Sequence, residues 1–485
     1  MMNKALLGIF IIFISFCSVF SSPIDYVNSG KDFFIVIRNL STAFEKFRET
    51  SEFFDYLMND EGLNVENILA SFGEILEQDK GVNMDLLEQV FDREIILTGE
   101  GLGIKIADFI SLDPNYFVDL LKNMGKGFYV VFDVDTTDEA SELLCNFARL
   151  FDAEIKQYAT SFELRMKDAM LYAWYDDDVF VLAGSESGVF DATDARSDEK
   201  NRMVVADPVA SSVYVEHRGD FVCGYFLKDS LKLDMSLELS VSTKYVTLGA
   251  TVCDEGLVVD LHQLVEYDST QAEELVKSAL VKTEDFEDFE VVGNYFVGIS
   301  SSLGEFALNE FKKWLKTQDE ESYQDIYSFL NDLVSSVESI GLSGDLTEAS
   351  PTFTFIAKSR DGSFETLWNK LRRWRVEKER KDHEYVGKLR GDGTYMYFIE
   401  SRGKFIITSW EPGEFAGRFY KAPSLGVLPS YTILRKGLLD RCLMLLFLDT
   451  SSVISEYFDN VPVGGFVVQQ SAEEDGILRT KLVFK

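Results

Sequence analysis

The chain has 485 residues, 46% of them apolar and 13% aromatic, which is enough to bury a large core and to build two or three domains of ~150 residues, so disorder is excluded. Its formal charge of −35 disfavours nucleic acid and anionic lipid surfaces, since both are bound through Lys and Arg; it suits cationic partners, divalent cations or plain solubility. With 40 Phe against 8 Pro, the composition fits a strand-rich fold with broad apolar faces.

Residues 1–22 read as an export signal, with Lys4 as the positive start, Ala5 to Phe16 as the apolar stretch and Val19-Phe-Ser21 as a small-residue cleavage pattern. The expected localisation is periplasmic or extracellular, with an uncleaved membrane anchor as the alternative. Ile14-Ser-Phe-Cys17 departs from a lipid-attachment motif because Phe16 stands where a small residue is needed.

The rest is written twice, and the expected fold is α+β: a tandem duplication of two similar units, each a mainly antiparallel sheet with helices packed on one face. Copy one spans 23–283, an acidic linker 284–290, and a shorter copy two 291–485. Each copy opens with an apolar strand, Phe33–Ile37 or Tyr295–Ile299, entering a helix marked by Leu40, Phe44 and Phe47 or by Leu303, Phe306 and Trp314. Ile95–Gly99 matches Ile340–Gly344. Gly127-Phe-Tyr-Val-Val-Phe132, followed by Ala140, Leu143, Leu144 and Phe147, lines up without a gap on Pro351–Ile356 followed by Phe364, Leu367, Trp368 and Leu371. A hairpin comes next, Met170–Tyr175 turning at Asp176–Asp178 into Val179–Leu182, with Tyr395–Ile399 turning at Ser401–Gly403 as its counterpart. Ser212–Gly219 and Ser430–Gly437 read as matched strands, and Glu255-Gly-Leu257 matches Asp475-Gly-Ile477. Copy one is longer in residues 58–90 and 103–125. The basic run Lys370–Lys381 reads as the solvated end of a helix.

No reaction is spelled out, and no catalytic or cofactor-binding residue is assigned. The histidines His217, His262 and His383 lack metal-ligand spacing, and His217 reads as an exposed strand residue. Gly99-Glu-Gly-Leu-Gly103 lacks the ending of a phosphate loop. Gly184-Ser-Glu-Ser-Gly188 places Glu186 where a nucleophile elbow needs serine, and Ser401-Arg-Gly-Lys404 falls in a hairpin turn. The metal candidates are Asp176, Asp177 and Asp178, with Asp133 and Asp135 upstream, because calcium takes several converging carboxylates; a solvated turn is the competing reading. The triplets Arg218-Gly-Asp220 and Arg390-Gly-Asp392 fit turns. Of Cys145, Cys223, Cys253 and Cys442, the pair Cys223 and Cys253 is the disulfide to test; the absence of Cys-x-x-Cys removes thioredoxin-like chemistry.

The hairpin Tyr172-Ala-Trp-Tyr-Asp-Asp-Asp-Val-Phe-Val-Leu-Ala-Gly-Ser185, leading into Ser187-Gly-Val-Phe-Asp-Ala192, resembles a bacterial extracytoplasmic family known as a domain of unknown function. The resemblance implies a secreted or periplasmic α+β protein and brings no catalytic residues. In copy two Thr408-Ser-Trp410 replaces the Ala-Gly-Ser ending. The expected function is a non-enzymatic cell-envelope protein that binds a partner or serves as a scaffold. A carrier for an apolar or amphipathic, lipid-like ligand is the alternative, and a hydrolase working through paired carboxylates the third reading.

Overall fold

A computed structural model describes residues 22–60, 62–100, 104–105, 127–158, 161–167, 170–176, 178–228, 231–232, 241–267, 269–304, 308, 322–347, 352–359, 363–373, 376, 378–381, 384–390, 395–408, 417–473 and 476–485. The export signal, Asp177, His383 and most of 103–125 lie outside them. Contacts divide the chain into two compact units, residues 1–238 with 242–266, and residues 239–241 with 267–485. Each is α+β around an antiparallel sheet.

The first unit has strands β1 (Phe33–Ile37), β2 (Ile95–Gly99), β3 (Tyr129–Asp133), β4 (Glu154–Gln157), β5 (Phe162–Arg165), β6 (Met170–Tyr175), β7 (Val179–Ala183), β8 (Val222–Leu227) and β9 (Val241–Cys253). They lie in the order β4–β5–β6–β7–β3–β2–β1–β8–β9, each antiparallel to its neighbours. β9 turns at Gly256, where φ is 104°, into β10 (Gly256–Tyr267). Helices α1 (Leu40–Thr50), α2 (Glu52–Met58), α3 (Val65–Lys80) and α4 (Met84–Asp92) fill the connection from β1 to β2. Helix α5 (Thr137–Leu150) follows β3, α6 (Glu186–Ser197) follows β7, and α7 (Pro208–Glu216) precedes β8.

Every residue of β1 and β2 is buried, so these strands read as continuous apolar runs and the sheet needs cover on both sides. It has that cover, which corrects the expectation of helices on one face. On one side Phe132 and Phe180 pack with Phe91 of α4 and Phe147 of α5, ring centroids 5.5 to 5.9 Å apart. On the other, Tyr129 donates its hydroxyl to the Tyr26 carbonyl at 2.8 Å, and Gly188 of α6 lies so close that a Cβ there would stand 3.0 Å from that of Ala183. Helix α5 begins where the Thr136 hydroxyl accepts from the Glu139 N–H, and it buries Ala140, Leu143, Leu144 and Phe147 at helical spacing. Each leucine buried there contributes about 1.5–3 kcal/mol, and Phe147→Ala would cost about 3–5 kcal/mol.

Residues 212–219 are not a strand. Asp207 caps α7 by accepting from the Val209 and Ala210 N–H groups, and Pro208 supplies a preset first turn, so a β-branched run becomes helical. The counterpart in the second unit does the same: Pro429–Thr432 is a short helix and Arg435–Gly437 a 3-10 turn.

The second unit has strands β11 (Val281–Lys282), β12 (Tyr295–Ser300), β13 (Val337–Asp345), β14 (Thr352–Ser359), β15 (Glu379–Lys381), β16 (Glu384–Arg390), β17 (Tyr395–Ser401), β18 (Lys404–Thr408), β19 (Arg441–Cys442), β20 (Met444–Leu448), β21 (Phe466–Ala472) and β22 (Ile477–Phe484). The sheet order is β15–β16–β17–β18–β14–β13–β12–β20–β21–β22, antiparallel throughout. β11 and β19 form a separate two-stranded ribbon. Helix α8 (Ser322–Ser336) precedes β13 and α9 (Glu365–Arg373) follows β14. Trp368 of α9 packs edge-on to Phe405 at 5.6 Å on one face, while Phe286 and Phe289 meet Phe296 on the other. The segment 284–290, expected as a linker, is therefore packed chain: Phe286 and Phe289 are fully buried and Glu290 binds Lys404 at 2.6 Å. The basic run does not stay helical, since Glu379–Lys381 is strand β15.

Registers can be compared strand by strand. Phe33 faces Gly99 and Ile37 faces Ile95, while Tyr295 faces Gly344 and Ile299 faces Ile340. Tyr129 and Tyr172 flank Ala183, as Thr354 and Tyr397 flank Thr408. Tyr129 sits opposite Thr98 and Thr354 opposite Ser343, so the gap-free match of 127–132 with 351–356 is one residue out of step in the strand. The four described cysteines, Cys145, Cys223, Cys253 and Cys442, are free, and Cys223 lies opposite Gly249 and not Cys253, which removes the disulfide expected between those two.

Candidate functional site

The described metal candidates are held by groups of their own unit, and Asp177 lies outside the described residues. Asp176 Oδ1 accepts from the N–H groups of Asp178 and Val179, both at 3.2 Å, and Oδ2 accepts from the Tyr26 hydroxyl at 3.0 Å. Asp178 lies 3.5 Å from the same hydroxyl and 3.8 Å from Arg196, and its carboxyl is raised, first through the hydrogen bond with Asp176. Asp135 is drawn away to Arg93 at 2.8 Å, and Asp133 lies opposite Val179 within the sheet. Among the described residues no group of His, Cys, Asp and Glu converges to hold a metal.

Of the other sequence candidates, His262 lies in β10, residues 101–103, 391 and 392 lie outside the described ones, and several of the rest end strands or form turns and caps. Gly99 ends β2, Ser185 caps α6 by accepting from the Gly188 N–H, and Arg402 and Gly403 take positive φ of 51° and 74° in the hairpin turn. His217 is not an exposed strand residue: it ends α7 half-buried, its Nδ1 2.6 Å from Asp220 Oδ2. That hydrogen bond raises the imidazole above its ordinary value, with burial pulling the other way. The pair lies over β9, where a Cβ on Gly249 would meet Asp220 Oδ2 at 2.6 Å and His217 Nδ1 at 2.7 Å.

Beside it is a buried charge cluster that no motif announced. Arg38 and Glu94 form an ion pair at the end of β1 and β2, 3% and 6% exposed. Arg38 also donates to the His217 carbonyl at 3.1 Å and lies 5.0 Å over the Tyr214 ring, whose hydroxyl donates to Glu94 at 3.3 Å. Burial pushes the Glu94 carboxyl up to about 8 against the pull of Arg38. Cys223 stands near these charges, but burial pushes its thiol up to about 12, so it is no activated nucleophile. The cluster can hold and release protons; it presents no reactive atom to a substrate.

Two cavities of the second unit are lined by charged side chains among the described residues. One of about 390 Å³ lies beside the β11–β19 ribbon, lined by Lys282, Glu284, Glu287, Arg435, Asp440 and Arg441 among others. Another of about 440 Å³ lies by the Arg402–Gly403 turn and includes Lys358 and Lys404. Lys358 is bound by Glu338 at 3.2 Å and Lys404 by Glu290, so those two charges are answered from within the unit.

The first unit also bears an apolar surface. On α3, Leu69, Ala70, Gly73 and Leu76 are buried, while Ile68, Phe72 and Ile75 on the adjoining side are 63%, 43% and 54% exposed, with Leu63 beside them at 39%. Glu74 and Asp79 flank this stripe in solvent. The sequence signal was available as an apolar arc, Val65, Ile68, Leu69, Phe72, Ile75 and Leu76, wider than the side that packing buries.

No protein-family model matches the chain, and no curated protein matches it. A solved chain described as "Structure of crystal form III of TP0453" aligns with 41% of this chain and 78% of its own at 11% identity and a TM-score of 0.26. No helix of the described residues is long and apolar enough to cross a membrane.

Proposed function

We propose that this is an exported, non-enzymatic binding protein built by tandem duplication, in which the first unit docks a protein partner on the apolar stripe of α3. The observation that carries the reading is the row Leu63, Ile68, Phe72 and Ile75: large apolar side chains left together in water mark interaction surfaces. The stripe lies in residues 58–90, where copy one is longer than copy two, so it belongs to the unit-specific addition and not to the shared framework. The duplication is supported by the equal strand orders, by the equal registers about Gly99 and Gly344, and by matching bonds. Asp32 N–H donates to Gly99 and Leu227 N–H to Asp32, as Asn294 donates to Gly344 and Asp449 to Asn294.

Charge selects the occupant. With −35 overall and Glu74 and Asp79 on the rim, the stripe suits an apolar protein segment flanked by Lys or Arg better than an anionic membrane. A photo-crosslinker at Phe72 in cells tests this. The proposal expects one protein adduct, lost on Ile68→Asp and Ile75→Asp and absent with the crosslinker at Glu199. Adducts with lipid, with a second copy of this chain, or with no preference for position 72 would overturn it.

A further inference from the structure

Lys282 and Arg441 are directly opposite each other in the β11–β19 ribbon, so their side chains leave the same face and both line the 390 Å³ cavity. Like charges at such a position repel, with Cβ atoms about 4.5–5.5 Å apart. The chain has 82 acidic residues against 47 Lys and Arg, so carboxylates are abundant, yet neither cation forms an ion pair among the described residues. Arg441 donates to the Leu280 carbonyl at 3.0 Å, which fixes the guanidinium and leaves most of its donors over. The acids of the cavity turn to a different cation: Glu287 binds Arg435 at 2.9 Å and Glu284 approaches it at 3.8 Å. Asp440 lines the cavity with them, and Asp285 is held by the Lys282 N–H at 3.1 Å.

The ribbon is firmly held from behind. Thr283 donates to the Leu439 carbonyl at 2.5 Å and accepts from the buried Gln469 amide at 2.9 Å, and Gln469 in turn accepts from the Leu439 N–H at 2.7 Å. Thr283 N–H donates to the Asp440 carbonyl at 2.9 Å. Two cations are thus presented side by side on a fixed floor at the edge of a cavity.

We infer that Lys282 and Arg441 form a binding site for a small oxyanion, a carboxylate or a phosphate, seated between the ammonium and the guanidinium. Both are charge-assisted donors, and the guanidinium fork matches two oxygens of either anion. The site lies in the second unit and stands independently of the α3 stripe.

The test is thermal denaturation of the purified chain titrated with sodium phosphate, with sodium succinate, and with sodium chloride at matched ionic strength. Phosphate or succinate should raise Tm in a saturable way that chloride does not reproduce. Lys282→Gln or Arg441→Gln should each weaken the apparent affinity at least tenfold, and the double variant should abolish the effect. A response to phosphate alone assigns the site to phosphate, a response to succinate alone to carboxylates, and both support the site. At low salt without either anion, the double variant should melt at or above the parent because the repulsion is gone. Equal responses to all three salts, a saturable shift that survives in the double variant, or a lower Tm of the anion-free double variant would overturn the inference.

Discussion

Arg38 and Glu94 face each other one step beyond the Ile37–Ile95 pair, buried where β1 and β2 leave the sheet. In the second unit the corresponding step is Ser300 opposite Ser339. At this step of the register the first unit holds an ion pair and the second two small hydroxyls, so the pair is a property of the first unit.

The two partners are not equally expendable. Glu94→Ala removes the acceptor of both Arg38 and the Tyr214 hydroxyl, and should cost about 1–3 kcal/mol for each buried donor left unsatisfied. Arg38→Met leaves a carboxyl that can take up a proton and keep its bond to Tyr214, so it should cost less. Adding Arg38→Met to Glu94→Ala should recover about 1–3 kcal/mol, read by urea denaturation of the three variants.

Glu94 also sets a pH dependence. Its folded value of about 8 is raised above the ordinary 4.5, so the stability it contributes is fully present below 4.5 and is lost as pH rises through about 8. Glu94→Gln should match the parent near the lower limit and be the more stable protein above the upper one. Denaturation curves across that window check the sign; a parent that gains on the variant as pH rises would contradict it.

His217 titrates under the control of Asp220. Its value is raised first by that hydrogen bond, so Asp220→Asn should lower the midpoint of the His217 ring-proton NMR titration. Gly249→Ala should lower it as well, because the added methyl overlaps both partners of the bond. An unmoved midpoint in both variants would show that the contact does not govern the ring.

At the acidic turn the structure separates aspartates that look alike in sequence. Asp176→Ala removes three acceptor contacts and should cost about 1–2 kcal/mol, whereas Asp178→Asn should lie within about 0.5 kcal/mol of the parent. Melting temperatures of the two variants, with and without millimolar calcium, distinguish this turn from a cation site, which would show a calcium-dependent gain lost on Asp178→Asn.

The sheet was legible where a short apolar run is bounded by a glycine or a tight turn. The strands Phe33–Ile37 and Ile95–Gly99, the hairpin about Asp176, and the turn at Gly256 follow from local pattern, while the pairing of the first two does not. Ser212–Gly219 was misread because its β-branched residues outweighed the Asp207-Pro208 cap that starts a helix. The second helical layer was invisible because both faces of β1 and β2 are apolar, which erases the alternation that marks a solvent side. Of the sites, His217 could be singled out, but Arg38, Glu94 and the opposed Lys282 and Arg441 are brought together only by strand pairing between distant segments. The α3 stripe lies on a wide apolar arc that was readable in sequence, but which part of the arc stays exposed depends on packing.

The central claim is that the α3 stripe serves a partner and not the core, and the stability of the triple variant Ile68→Asp, Phe72→Asp, Ile75→Asp tests it most directly. Ile68, Phe72 and Ile75 are 63%, 43% and 54% exposed and lose only part of a full burial when replaced, so the unfolding free energy of the purified chain should fall by no more than about 1.5 kcal/mol per site. If the stripe is instead covered within the folded chain, three apolar-to-charged changes should cost about 2–5 kcal/mol each and leave the first unit unfolded, which would contradict the account.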